Sequence, residues 1–363
     1  MSWARALIVS SLAGAALVAA ATATLCLSSG CSSLGYYAQA ASGHLEVIHR
    51  AKPVQAWLGD AATPAPLRER LALTQRMRDF AITELALPDN RSYRSYADLQ
   101  RAAVVWNVVA APELSLTLKT WCFPVMGCVG YRGYFDRAGA EALAAELRRE
   151  GWEVSVYGVP AYSTLGWTDW LGGDPLLNTF IHGPEGEVAR LIFHELAHQV
   201  AYAGDDTTFN ESFATAVERL GGQRWLSERA GANVQREYAD YDARRRDFRE
   251  LAARQRQRLQ ALYTGALSDA DKRAQKLVLK AQLDADIAAL KAGPWRGFSA
   301  YDAWFARANN ASFAVQAAYD ELVPAFERLY EREGRDFARF SAEVQRLSAL
   351  PKAERRATLG APP

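Results

Sequence analysis

The stretch LIFHELAHQVAY, residues 191–202, places two histidines and a glutamate in a segment that is otherwise almost entirely apolar. A helix that is apolar nearly all round is normally buried, and buried charge is costly unless it is paired or binds a metal. His194 and His198 lie four positions apart on one helix face, so both imidazoles can bind one ion, and Glu195 can reach a water molecule on that ion. The pattern therefore predicts a metal site with an open position, Zn²⁺ as the default ion and Glu195 as general base.

A zinc site of this kind needs a third protein ligand. The following segment, GDDTTFNESFATAVERLGG, carries Glu211 and Glu218 on one face of a predicted second helix, and their spacing alone allows either. Residues 208–211 also match a capping box, in which Glu211 would only cap this helix. Asp205 and Asp206 are expected to act as caps, with recognition of a substrate amino terminus as the alternative. A hydrogen-bonded polar cluster in the core remains the structural alternative to a metal site.

The rest of the chain predicts an α+β protein that is mainly helical. Residues 103–135 are rich in β-branched and aromatic residues punctuated by Gly and Pro, and residues 152–159 alternate, so both segments predict strands. Helix signals predict helices in four further segments: 36–87, 136–149, from about 185 onward, and 299–347.

Residues 233–291 are densely charged, contain few Gly or Pro, and carry apolar residues at roughly heptad spacing. With a capping box at Ser268, they predict a helical hairpin, interpreted as an insertion that takes no part in the chemistry. The predicted organisation is a lipoprotein signal peptide at 1–30, an α+β part with the metal-binding helices at 31–232, the inserted hairpin at 233–293, and a C-terminal helical part at 294–363 that packs on the catalytic core.

The N-terminal residues have the pattern of a secretory signal, with Arg5, an apolar run and small residues ending at Cys31. The sequence LSSGC at 27–31 resembles a bacterial lipobox, which implies lipidation of Cys31, although Ser28 stands where an aliphatic residue is usual. An uncleaved anchor is the alternative, because residues 6–27 are long enough to span a membrane. Both interpretations place the chain in the bacterial cell envelope, tethered to a membrane and facing the periplasm, and by resemblance Ser32 favours the outer membrane.

An oxidising compartment permits a disulfide, which is the interpretation favoured for Cys122 and Cys128 in WCFPVMGC. A metal site on these two cysteines is the alternative, and no histidine lies near them in sequence. Lys and Arg number 42 and Asp and Glu 41, so the charge balance does not indicate a nucleic-acid partner.

The segment NESFA at 210–214, followed by Glu218, resembles the N-E-G-F-A-x-x-x-E segment of gluzincin aminopeptidases. The resemblance implies that Glu211 binds zinc and that Glu218, with Asn210, supports the ligands from behind. The sequence spacing from His198 to Glu211 is shorter than the spacing between second histidine and glutamate that is usual in that clan. The spacing from His198 to Glu218 is closer to the usual one.

The order of lipobox, YRGYF, HELAHQ and NESFATAVE is similar to a family of bacterial lipoproteins described as predicted aminopeptidases. This implies a peptide substrate, one Zn²⁺ per chain, a membrane contact through an N-terminal lipid anchor, and a gluzincin-like metal-binding helix pair with a small β-sheet and a long inserted helical hairpin.

In that clan a Tyr or His commonly stabilises the oxyanion, and the candidates are Tyr319, Tyr131 and Tyr134. Arg132 is a candidate for binding a substrate carboxylate. GYRGYF is the predicted edge strand along which a peptide lies. The competing classes are a membrane-tethered binding or scaffold protein that retains the fold without activity, and a structural coiled-coil protein, which explains only residues 233–291.

Overall fold

The computed structural model describes residues 31–123, 127–162, 164 and 172–360, and it describes side chains in that part except for residues 31–34 and 317–320. The predicted signal peptide at 1–30 lies outside the described residues. The chain divides into two compact units, residues 1–49 and 50–363. The described residues of the first unit, 31–49, lie in the helix α1, Cys31–Arg50.

The second unit is mainly helical, in agreement with the predicted class, and helices account for 61% of the structure. Its helices are α2 Val54–Gly59, α3 Ala65–Thr83, α4 Arg137–Arg149, α5 Glu185–Ala197, α6 Thr207–Arg229, α7 Ala232–Thr264, α8 Asp269–Ala292, α9 Asp302–Arg307, α10 Asn310–Asp320, α11 Val323–Arg332, α12 Phe337–Ser348 and α13 Lys352–Leu359. Its strands are β1 Lys52–Pro53, β2 Ser95–Ala97, β3 Val105–Pro112, β4 Trp121–Phe123, β5 Gly127–Val129, β6 Arg132–Tyr134, β7 Trp152–Val159 and β8 Leu176–Leu177. None of the helices in the described part of the chain has both the length and the apolar character that crossing a membrane requires.

The strands form three small sheets. β3 is the centre of an antiparallel sheet ordered β6-β3-β7, β2 lies between β1 and β8, and β4 pairs with β5 in a hairpin. Cys122 lies opposite Cys128 in that hairpin and is joined to it by a disulfide, as the sequence predicted.

The two faces of the β3 sheet meet different helices, because side chains alternate along a strand. Val108, Ala110 and Val154 pack on α4. Val109 and Ala111 face the opposite way and pack on Ala311 of α10. The second face is the one that lies toward α5 and α6.

The helix pair α5–α6 lies in an aromatic core. Phe209 and Phe213 of α6 contact Phe326 of α11, with ring centroids 5.1 and 5.7 Å apart. Phe193 of α5 stacks on Phe80 of α3 at 6.0 Å. Rigid helices packed on several sides are a suitable support for a site that needs fixed side-chain positions.

The predicted hairpin is formed by α7 and α8, and Ser268 caps α8 by accepting a hydrogen bond from the Asp271 backbone N–H. Its apolar residues Phe248, Leu251 and Leu283 are buried, as the heptad pattern predicts. The hairpin also packs on the C-terminal part of the chain. Phe248 packs on Tyr301, Trp304 and Phe305, with centroids 4.5 to 5.2 Å apart, so α7 is joined to the C-terminal helices by an aromatic interface.

Candidate metal centre

His194, His198 and Glu211 come together into one cluster. One ligand atom from each lies within 4.8 Å of the others. The Nε2 atoms of His194 and His198 are 3.5 and 3.6 Å from the same oxygen, Oε2 of Glu211. Tetrahedral zinc with bonds of about 2.0 to 2.1 Å holds its ligand atoms about 3.4 Å apart, so these separations fit three ligands of one ion.

The two helices approach closely because α6 carries glycines in its middle. A Cβ added at Gly222 would lie 2.5 Å from Cγ of Arg190, and one at Gly221 would lie 2.6 Å from a methyl carbon of Leu85. Glycine inside a helix costs about 1 kcal/mol relative to alanine. The gain is space for the Arg190 side chain between the helices.

Glu218 lies behind the cluster rather than in it. Its Oε2 is 2.9 Å from Nδ1 of His194, and its Oε1 accepts a hydrogen bond from Arg190. A carboxylate at Nδ1 keeps the proton on that nitrogen, so Nε2 of His194 presents its lone pair to the cluster. Although burial opposes ionisation, Arg190 and His194 hold the pKa of Glu218 well below its usual range.

Glu195 is 8% exposed. Burial raises the pKa of its carboxyl to about 7, His194 lowers it, and the carboxylates of Glu211 and Asp174 raise it further. A carboxyl with this pKa can accept a proton and return it near neutral pH, which is what a general base that later acts as an acid must do.

The charges of the clustered residues, and not only the distances between their ligand atoms, suit a divalent cation. Glu195 is buried and Glu211 and Glu218 are partly buried beside it, and Arg190 pairs with Glu218 among them. Burial lowers the pKa of His198 to about 4, so His198 is neutral at pH 7, the state in which imidazole binds metal. Burial lowers the pKa of His194, but hydrogen bonding to Glu211 and Glu218 raises it well above its usual value. The cluster therefore favours a positive charge at His194, which a bound metal ion would supply in place of a proton.

The cap of α6 is Asp206, whose side chain accepts from the Phe209 backbone N–H at 3.2 Å. The proposed capping box at residues 208–211 is therefore wrong, and Glu211 is left to face the histidines. Asn210, predicted to support the ligands, instead makes two 2.8 Å hydrogen bonds with the backbone of Ala203. It fixes the loop that leads into α6.

Tyr131 lies on the metal side of the sheet, and Arg132 and Tyr134 do not. Burial and the nearby Glu211 carboxylate raise the pKa of Tyr131. Arg132 and Tyr134 pair with Val108 and Trp106 in the register, and Tyr134 packs in the cluster on α4. Alternation therefore turns both side chains to the face opposite Tyr131, and their role in substrate binding stays a prediction.

β6 is an edge strand, as expected, with β3 as its partner in the described sheet. The strand that reaches Glu195, however, is β7, whose end at Val159 borders the cavity beside His194 and Glu195. Tyr319 belongs to α10, but its side chain lies outside the described ones. Cys31 begins α1, and its side chain is likewise outside the description.

Two further tyrosines near the cluster were missed. Burial raises the pKa of Tyr157 to about 12, with a further rise from Glu211. Burial and Glu211 also raise the pKa of Tyr202. The alternation in WEVSVYGV was a usable signal for Tyr157, because it places this polar residue on the face opposite Val154 and Val156.

Helix α7 also reaches the site, which the sequence interpretation did not include. Tyr241 and Phe248 line a cavity of about 380 Å³ together with His194 and Glu195. A second cavity, of about 310 Å³, is lined by Tyr131 and Glu211 among others. Arg245 of α7 pairs with Glu187 of α5 through contacts of 2.6 and 2.9 Å, which connects the hairpin directly to the metal helix.

These features define a class: a mainly helical protein with a histidine, histidine and glutamate cluster and a buried carboxyl next to it. The family model described as "Putative aminopeptidase" matches residues 35–359. The chain therefore belongs to this family. No curated protein matches the chain, and no solved structure matches it.

Proposed function

We propose that this chain is a zinc-dependent peptidase and, from its family, an aminopeptidase. The observation that carries the proposal is the approach of His194, His198 and Glu211 to within 4.8 Å of one another, with Glu195 buried beside them. His194, His198 and Glu211 would hold the ion, and Glu218 would orient His194 from behind.

When bound, the ion would acidify a water molecule and polarise the scissile carbonyl. Glu195 takes a proton from the water as its oxygen forms a bond to the carbonyl carbon. It then gives this proton to the amine nitrogen as the C–N bond breaks. One carboxyl can do both because its pKa lies at about 7.

Tyr131 and Tyr157 are the proposed hydrogen-bond donors for the oxygen that becomes negative in the transition state. Both hydroxyls stay protonated at neutral pH, since burial raises the pKa of each, and neutral donors placed close to developing charge are what such a site needs. Tyr319, predicted from the sequence, stays a third candidate.

The peptide would lie across the cluster, with the residues on either side of the scissile bond in the two cavities. The cavity beside Glu195 is about 380 Å³, large enough for a bulky side chain, and its wall includes Leu191, Tyr241, Phe248 and Tyr301. Glu187, Arg245 and Arg249 also line this cavity. An apolar substrate residue would pack against the aromatic part of the wall.

The test is metal content and activity measured on the same preparation. We expect about one zinc per chain, loss of activity on chelation, and recovery on adding Zn²⁺. Amino-acyl substrates and internally quenched peptides distinguish exopeptidase from endopeptidase action. Glu195→Gln should keep the metal and lose activity. A non-catalytic scaffold protein predicts instead that wild type and Glu195→Gln behave alike on every peptide.

We also propose that the chain is a lipoprotein of the bacterial cell envelope, anchored through Cys31 and facing the periplasm. The support is the signal pattern and the lipobox resemblance at 27–31. Cys31→Ser should release the protein from the membrane fraction, and mass spectrometry should find acyl chains on the N-terminal peptide of wild type. Continued membrane retention of an unacylated Cys31→Ser protein would favour the uncleaved anchor.

A further inference from the structure

In the part of the chain that the structure describes, the hydroxyl of Tyr93 near the proposed site is buried without a hydrogen-bond partner. Tyr93 lies between α3 and β2 and is 1% exposed. Its hydroxyl has no partner among the described residues. Most buried polar groups in folded proteins are paired, and an unpaired one reduces stability. This hydroxyl therefore needs a physical explanation.

The backbone of Tyr93 is also held in an unfavourable conformation. Its φ is +63°, in the left-handed region that bulky residues rarely adopt. Three contacts enforce it: the Tyr93 N–H donates to Asp174 O at 2.6 Å, Gln75 donates to Tyr93 O at 3.0 Å, and Arg78 donates to Ser92 O at 3.0 Å. Strained residues that are fixed this firmly are concentrated at functional sites.

The turn that contains Tyr93 is bonded to the residue that follows the C-terminal end of α5 and to Asp174, whose carboxylate acts on Glu195. Gln199 lies in the turn directly after α5, four residues beyond Glu195. Gln199 donates to Ser92 Oγ at 3.1 Å and accepts from Asn90 Nδ2 at 2.6 Å. Burial raises the pKa of Tyr93, and the Glu195 carboxylate is close enough to raise it further. The unpaired hydroxyl is thus held in the neighbourhood of the proposed base.

We propose that Tyr93 is a positioning residue whose hydroxyl donates a hydrogen bond to the Glu195 carboxylate during turnover. The inference rests on the proposed function and adds a residue to it. A tyrosine that stays protonated is a fixed neutral donor, and it steadies the carboxylate without adding charge to a site already rich in carboxylates. Keeping this donor unpaired in the resting protein reduces stability, a trade between stability and activity that is typical of active sites.

The test is Tyr93→Phe, which removes only the hydroxyl. The Tm should stay the same or rise, because no hydrogen bond is lost and a buried unpaired group is removed. The value of kcat should fall about tenfold or more, while KM and bound zinc stay unchanged. Tyr96→Phe is the matched control, since Tyr96 is also buried, at 2% exposure, three residues further along in β2. It should leave kcat unchanged.

A lowered Tm in Tyr93→Phe overturns the inference, since the hydroxyl would then make a structural hydrogen bond. If wild type is active and Tyr93→Phe has an unchanged kcat, the inference about Tyr93 is wrong, but the proposed function is not contradicted. Failure of the proposed function has a different signature: wild type hydrolyses no peptide faster than Glu195→Gln. In that case both the proposed reaction and the proposed role of Tyr93 in it are wrong.

Discussion

Glu218→Gln should weaken metal binding although, on our assignment, it removes no ligand. The Glu218 carboxylate lies 2.9 Å from Nδ1 of His194 and also pairs with Arg190. Glutamine keeps an acceptor oxygen but loses the charge that holds the proton on Nδ1. Loss of such a partner behind a metal-binding histidine typically lowers metal affinity by about 10- to 100-fold, or about 1.4 to 2.8 kcal/mol.

The comparison variant is Glu211→Gln, the same chemical change seven residues earlier on the same helix. Glu211 Oε2 lies 3.5 and 3.6 Å from the two Nε2 atoms, so this variant removes the charged ligand itself and should lose the larger share of metal affinity. Competition with a chromophoric chelator at neutral pH measures both affinities. The ranking is decisive: if Glu218→Gln loses the metal more completely than Glu211→Gln, Glu218 is the third ligand and our assignment is wrong.

Glutamine is preferable to alanine at position 218 because Arg190 is 4% exposed. Alanine would remove both the counter-charge and the hydrogen-bond acceptor of this buried guanidinium, and such losses destabilise proteins by about 3 to 5 kcal/mol, whereas glutamine removes the charge and keeps an acceptor oxygen. Metal loss and unfolding would then be confused. With glutamine, Asp242 at 3.3 Å and the Tyr238 hydroxyl still contact Arg190. Thermal unfolding of both metal-free variants checks that each is folded.

Asp206→Asn should lower the free energy of unfolding by roughly 3 kcal/mol at pH 7, because Asp206 is 2% exposed and pairs with Arg355 and Arg356. Despite burial, hydrogen bonding to Arg356 lowers the pKa of Asp206. Its stabilisation is therefore present above the unfolded pKa of about 4 and lost as pH falls through the folded pKa. Urea unfolding at a series of pH values should show that the free energies of unfolding of wild type and Asp206→Asn become equal below about pH 4. A difference that does not change with pH contradicts this prediction. Leu191→Trp should narrow the cavity beside Glu195, lowering kcat/KM about tenfold for peptides with a bulky residue there and less for alanyl peptides. Leu277→Trp, at a position that is 73% exposed, is the control, and equal losses on both peptides would argue against this cavity as the binding site.

The features predicted most accurately were those with a local physical cause. The i, i+4 spacing of His194 and His198 fixes their common face wherever the helix lies. The disulfide between Cys122 and Cys128 closes a short hairpin whose turn residues are visible in the sequence. The helix signals placed the start of α5 at Glu185, where the structure has it.

The features that were missed depend on contacts between residues far apart in the chain. Arg190 and Tyr238 are 48 positions apart, so the sequence pattern of α7 showed a solvated hairpin but not the face that meets α5. Arg132 and Tyr134 were placed at the site because GYRGYF is an edge strand. Which face each side chain occupies depends on the register with β3, and a one-residue shift reverses it.

The choice between Glu211 and Glu218 shows why spacing alone could not decide the third ligand. The two residues are seven positions apart, close to two helical turns, and so lie on one face. They differ in height along α6: Glu211 meets the Nε2 edges of both histidines, and Glu218 meets the Nδ1 edge of His194. Only the relative position of α5 and α6 determines this.

That relative position depends on Gly222. A Cβ there would lie 2.5 Å from Cγ of Arg190, which is the stem of the side chain and not its flexible end. If Arg190 were displaced, Glu218 would be buried near Glu195 and Glu211 with less positive charge beside it, and burial would then favour its protonated form. A protonated Glu218 no longer fixes the proton on Nδ1 of His194. Gly222 has no chemical role of its own, but the proposed orientation of His194 as a metal ligand depends on it.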